Sequence, residues 1–197
     1  DIFLNFLTGK DNKYGAHFEK MFPFICDPAL RAVNTRDVIN SKESQALAER
    51  MYEENRKDSC SFFDFFWTFR TMMLVFMQAV NAEIPPAKIY HAVCTGYAGI
   101  IGAVAKLKYN RPLLLTEHGI YTKERRIEIN QSEHIVKKQR SRVFVDQSQG
   151  TIRDLWIDCF YRLGRVSYDF ADKIVTLYGG NKKLEIEYGA DPEKIDV

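Results

Sequence analysis

The stretch Ile89–Arg126, IYHAVCTGYAGIIGAVAKLKYNRPLLLTEHGIYTKERR, constrains this chain more than any other. Ile89–Val93 is short, apolar and β-branched, the pattern of a strand buried on both faces. Thr95, Gly96 and Gly99 then open a helix reaching about Tyr109, with Ile100, Ile101, Val104 and Leu107 at helical spacing. Arg111-Pro112 breaks that pattern, and Leu113–Thr116 reads as a second buried strand before the sequence turns to a polar, charged loop. A strand–helix–strand unit with short connections requires parallel strands and a right-handed crossover. The fold class that follows is α/β, a Rossmann-like parallel sheet with flanking helices. In open sheets of this kind ligands bind beyond the carboxyl ends of the strands, and two segments lie there, His91–Gly96 and Glu117–Arg126.

The rest of the chain fits around that unit. Ile174–Leu177 reads as a third strand, followed by a Gly179-Gly180 turn, a short helix over Asn181–Tyr188 and a fourth strand from Lys194 to Val197. Thr151–Ala171 is amphipathic, with Ile152, Leu155, Trp156, Cys159, Phe160, Leu163, Val166 and Phe170 on one face. Phe62–Val80 is the most apolar stretch, long enough to invite a transmembrane reading, but Asp64, Arg70 and Gln78 interrupt it. The better reading is a deeply wedged helix with one polar stripe (Asp64, Thr68, Thr71, Gln78), its Trp67 and phenylalanines in the core. Ser41 caps a helix from Lys42 to about Arg56. Asp1–Leu7 reads as a strand and Thr8–Tyr14 as a polar turn. Met21–Phe24 and Asp27-Pro28 mark a loop or short helix, and Ile127–Lys138 a charged surface helix. The basic run Lys137–Arg142 is a solvated helix end, or else meets an acidic membrane surface or a polyanionic product.

Composition excludes some classes. Lysines and arginines number 28 against 26 acids, a net charge of +2, too balanced for a dedicated nucleic-acid binder. Four cysteines show no CxxC or CxxH spacing; they read as free thiols in a reduced cytoplasm. At 197 residues the chain fits one domain, or one domain plus an appendage, and is long enough for a real core. No metal-binding motif stands out.

Several residues at the sheet's carboxyl edge carry chemistry. His118 follows a strand and precedes Gly119, so backbone and ring can both approach a ligand. Glu117 either orients His118, bonds an acceptor hydroxyl, or is an outward-facing strand-end carboxylate. Tyr121, Lys123, Arg125 and Arg126 place an aromatic ring and three cations beside the crevice, a set suited to sugar stacking and phosphate attraction, or else solvated charges. His91 is a core histidine or a ligand contact. Thr95, Gly96 and Tyr97 open a helix whose free N–H groups face the same crevice.

These residues also carry a resemblance. HAVCTGYAG, RPLLLTEHGIYTKERRIEI, FFDFFWTFR and GADPEKIDV together resemble the PelF-type exopolysaccharide glycosyltransferases, retaining family 4 enzymes of the two-Rossmann-domain (GT-B) architecture. The likeness spans most of residues 60–197. It implies that residues 1–197 are part of the N-terminal, acceptor-side domain, with a C-terminal nucleotide-sugar domain elsewhere and a glycine-rich loop ahead of Asp1. It implies a nucleotide-sugar donor, UDP-glucose or a related UDP-hexose, and a growing polysaccharide as acceptor, with no metal or other cofactor. His118 would hydrogen-bond a donor hydroxyl. Membrane synthase subunits are a further partner, and the inner face of the membrane a place for a cytoplasmic enzyme. His134 stands where relatives carry tryptophan, and Glu185 where glutamine is commoner. The alternative is a non-catalytic Rossmann-like scaffold module of a polysaccharide synthase complex.

Overall fold

The structure is a computed structural model that describes residues 5–7, 11–26, 35–54, 61–131 and 148–197. Its helices are α1 (Tyr14–Cys26), α2 (Thr35–Asn40), α3 (Lys42–Glu54), α4 (Phe62–Val80), α5 (Tyr97–Tyr109), α6 (Tyr121–Gln131), α7 (Ser148–Phe170) and α8 (Gly179–Glu187). Its strands are β1 (Tyr90–Ala92), β2 (Leu113–Glu117), β3 (Lys173–Thr176) and β4 (Ile195–Asp196).

The four strands form one Rossmann-like sheet in the order β1-β2-β3-β4, every pair parallel. Ala92, Leu115, Ile174 and Ile195 lie in one row across it, and all four are buried. Parallel neighbours joined in chain order by right-handed crossovers carry their connecting helices on one face, and α5, α7 and α8 pack there. The opposite row is open: His91, Lys173, Val175 and Asp196 are exposed. The expectation of strands buried on both faces is therefore corrected. Ile89 and Val93 flank a three-residue β1 and are each 56% exposed.

A second apolar layer lies beyond α5 and α7. Phe18, Met51, Phe65, Phe69, Phe76 and Val80 of α1, α3 and α4 pack against Ile100, Val104, Leu163 and Val166. The Ser61 hydroxyl accepts the Asp64 N–H at 3.1 Å and donates to Asp64 Oδ2 at 2.8 Å, which fixes the start of α4. Ser41 does the same for α3, accepting from Ser44 N at 3.1 Å.

The expected polar stripe of α4 is present at Asp64, Thr71 and Gln78, but Phe63, Trp67 and Leu74 share that solvent face. Trp67 is 50% exposed, not core, and the Arg70 guanidinium lies 5.7 Å from its ring centre. The helix turns 100° per residue, so nineteen residues cannot all face one layer. Two further corrections are local. Residues 5–7 are helical where a strand was expected, and Met21–Phe24 lie inside α1 with Pro23. Asp1–Leu4, Thr8–Lys10, Asp27-Pro28, Asn55-Arg56 and the basic run Lys137–Arg142 fall outside the described residues. Among those described, no helix is long and apolar enough to cross a membrane.

Candidate functional site

Two turns and the start of a helix meet at the carboxyl edge of β1 and β2. The first turn runs from Val93 to Gly96. Gly96 has φ +73°, a conformation that favours glycine, and a Cβ there would lie 2.5 Å from the Tyr121 ring. Both the turn and the closeness of α6 thus require a bare α-carbon at Gly96.

The second turn follows Glu117. An edge carboxylate facing ligand was one expectation for Glu117, but its side chain is fully buried. Thr95 Oγ1 donates to Glu117 Oε1 at 3.0 Å and Tyr168 OH donates to Oε2 at 2.5 Å. Glu117 thereby ties the first turn to α7. Burial raises its pKa to about 7; the bonds from Tyr168 and Thr95 pull the other way, and the negative Glu185 adds to the rise. Tyr168 is pushed well above the usual phenol range by burial and by Glu117.

Beyond β3 lies a second buried group. Glu185 is fully buried, its pKa raised chiefly by burial. The Thr176 hydroxyl approaches the carboxylate closely enough to oppose that rise, but among the described residues neither it nor either Glu185 oxygen completes a hydrogen bond of good geometry. Asn181, also buried, donates from Nδ2 to the His118 carbonyl at 3.4 Å. Tyr168, Thr176 and Asn181 carried no expected role, and Glu185 stood out only as a departure from the glutamine commoner in relatives. The carboxyl-edge rule that singled out Glu117 after β2 points equally to Thr176 and Asn181 when applied to β3.

His118 is exposed at this edge, with its carbonyl held by Asn181 and its ring turned to solvent. Tyr121 begins α6, so the charged loop expected over Glu117–Arg126 is helical from Tyr121 onward. That change separates the expected cation cluster. At 100° per residue Tyr121, Glu124, Arg125 and Glu128 share one face, while Lys123 lies on the far side and Arg126 between. Arg125 stacks 5.1 Å above the Tyr121 ring and pairs with Glu128 at 2.6 Å. The Tyr121 ring meets Phe160 edge-on at 5.9 Å. Tyr97 turns inward against Phe160, its hydroxyl buried without a hydrogen bond.

His91 sits mid-strand on the open sheet face, exposed, sharing a 2.8 Å hydrogen bond with Thr116 Oγ1. It is not the core histidine that a strand position suggested. His91→Ala is expected to cost only ~0.2–1 kcal/mol, the worth of an exposed cross-strand pair. Urea unfolding of the two proteins checks this, and a loss above about 2 kcal/mol would exceed what such a pair supplies.

The structure thus places His118, Gly119 and Tyr121 at the carboxyl edge of β2 over the buried Thr95, Gly96 and Glu117, with Arg125 stacked on Tyr121, and it turns His91 to the open sheet face, Tyr97 inward against Phe160, and Lys123 and Arg126 away from the Tyr121 face of α6. Among the described residues no group of three or more His, Cys, Asp or Glu is placed to hold a metal ion, and Cys94 and Cys159 are free thiols. The family described as "Domain of unknown function (DUF3492)" matches residues 1–193. No curated protein and no solved structure matches the chain.

Proposed function

The chain belongs to the DUF3492 family, which is associated with glycosyltransferase-like proteins, and from that premise we propose that it is the acceptor-side Rossmann-like part of a retaining glycosyltransferase. The enzyme is PelF-like. It moves a hexose from a nucleotide sugar, UDP-glucose or a related UDP-hexose, to a growing polysaccharide at the cytoplasmic side of a membrane. The observation that carries this reading is the His118 ring, exposed at the carboxyl edge of β2 while its main chain is anchored by Asn181.

His118 donates to or accepts from a hydroxyl of the donor hexose. The anomeric carbon–oxygen bond to the diphosphate breaks as the acceptor oxygen bonds on the same face. The acceptor's proton passes to the departing phosphate, so no protein nucleophile is required. Groups on a second Rossmann domain neutralise the diphosphate, and no metal is needed.

A scaffold module of a synthase complex is the second reading. The open face of a parallel sheet supports it, since such sheets are ordinarily covered on both sides.

Titration of the 197-residue chain with UDP-glucose tests the first reading. Binding is expected to be weak, and UDP release absent, because one wall of the cleft supplies few of the donor contacts. Joined to its nucleotide-binding domain, the protein is expected to release UDP in the presence of acceptor. Sub-micromolar binding by the chain alone, or no transfer from any UDP-hexose by the joined protein, overturns the reading.

A further inference from the structure

A cavity of about 450 Å³ lies in the second apolar layer, between α4 and α7 and against the end of α3. Its lining includes none of the residues at the carboxyl edge of the sheet. Phe65, Phe69, Met73 and Phe76 of α4, Leu163 of α7 and Phe6 form its apolar walls, and all six are buried. Glu54, Asp154 and Asp158 also line it, and because they are exposed they mark its mouth. Arg162 lines it too but serves the fold, donating to the Phe6 carbonyl at 3.2 Å and lying 5.2 Å from the Tyr14 ring centre.

Such a space is costly to leave empty. At the cost per unit volume of core cavities, a void of this size would cancel most of the stability of a domain. Water fills it poorly, because a buried water needs several polar partners and the apolar walls offer none. Cys159 reports on how enclosed it is. The residue lines the cavity and is only half-buried by surface, yet burial pushes its thiol up to about 12. That combination fits a group facing an internal space and not bulk water.

We propose that this cavity is a binding site for the alkyl chain of an amphiphile with an uncharged polar head. The volume holds about fifteen non-hydrogen atoms at ~30 Å³ each, one medium-length chain and the first atoms of its head. Apolar walls with a few polar groups at one place are the usual make-up of a small-molecule site. The chain lies between α4 and α7, and the head stays at the mouth beside Asp154 and Asp158. Hydroxyls suit carboxylates there, whereas an anionic head meets like charge. Met51, Met72 and Met73 line the space with unbranched side chains that adjust to the occupant. The inference is independent of the glycosyltransferase reading.

Titration of the 197-residue chain with decyl glucoside below its micelle concentration, followed by methionine methyl NMR signals, tests it. One molecule is expected to bind with Kd on the order of ten micromolar. Met51, Met72 and Met73 should shift, while Met21, outside the lining, should not. Decyl sulfate is expected to bind at least roughly threefold more weakly. Cys159→Phe puts a ring into the cavity and is expected to weaken decyl glucoside by about tenfold or more. Leu155→Trp narrows the same space from a half-buried position, should Cys159→Phe not fold. Saturating decyl glucoside is expected to raise the melting temperature of wild type and not of the filled variant. Wild type that does not bind decyl glucoside, or binds it without moving the three methionines, overturns the inference. So does equal binding by a folded filled variant, or decyl sulfate that binds as tightly as decyl glucoside. If neither variant folds, the methionine shifts of wild type decide.

Discussion

His118→Ala is expected to lower kcat for hexose transfer by on the order of 10²–10³, and by no less than about tenfold. A hydrogen bond that strengthens as charge develops at the anomeric carbon exists in part only in the transition state, so its loss falls on kcat and not on KM alone. A preorganised contact of that kind supplies ~2.7–4 kcal/mol. The fold is expected to survive intact. The residue is exposed, and the bond from Asn181 Nδ2 to its carbonyl is kept by alanine. Unfolding free energy should move by no more than about 0.5 kcal/mol. Assay of transfer and a denaturation curve on the same preparation check both halves. Full turnover in His118→Ala, or a loss explained by unfolding, removes His118 from the site.

Stability should fall as pH rises, and Glu117 should be the main cause. Its carboxyl is raised from 4.5 to about 7 in the folded protein. A raised acid favours its protonated form when folded, so its stabilisation is complete below about pH 4.5 and lost as pH rises through about 7. Between pH 5 and pH 8 the loss is about 2–3 kcal/mol. Glu185 and Asp169 are also raised by burial and add to the slope in the same direction. The informative quantity is therefore the difference between wild type and Glu117→Gln. The amide keeps the shape of the protonated acid, and the Thr95 and Tyr168 hydroxyls can rotate to meet it. Glu117→Gln is expected to lose markedly less stability than wild type over the same range in urea titrations. Parallel slopes would show that Glu117 does not carry the proton.

The two outcomes separate the roles of adjacent residues. His118 can act because its side chain is exposed and, among the described residues, no hydrogen bond engages its ring. Glu117 does the opposite, holding the β1 turn to α7 through Thr95 and Tyr168. A variant at Glu117 that loses activity is expected to do so by moving the β1 turn beside His118.

Much of this was legible in the residues alone. The short apolar runs and the period-3.6 pattern of Ile89–Thr116 implied two parallel strands with a helix between them, and the sheet is parallel throughout. The bounds Phe62–Val80 match α4, because Ser61 caps one end and polar residues follow the other. Local signals of this kind act within one turn or one strand, and a sequence displays them directly. His118 stood out for the same reason: a residue after a strand and before a glycine is placed at the edge by chain geometry.

Only the tertiary structure decided which way each side chain faces. Periodicity marked a polar stripe on α4 but could not say that Phe63 and Trp67 share it, since that depends on where α1, α5 and α7 stand. Nothing local separates Glu117 from His118. One is buried and the other exposed because alternate residues point to opposite sides of a strand's path, and α7 brings Tyr168 to only one of those sides. The cations of KERR looked like a cluster until α6 began at Tyr121 and its 100° step dispersed them. Burial and facing arise from contacts between residues far apart in the chain, such as Thr95, Glu117 and Tyr168, and those contacts exist only once the layers have packed.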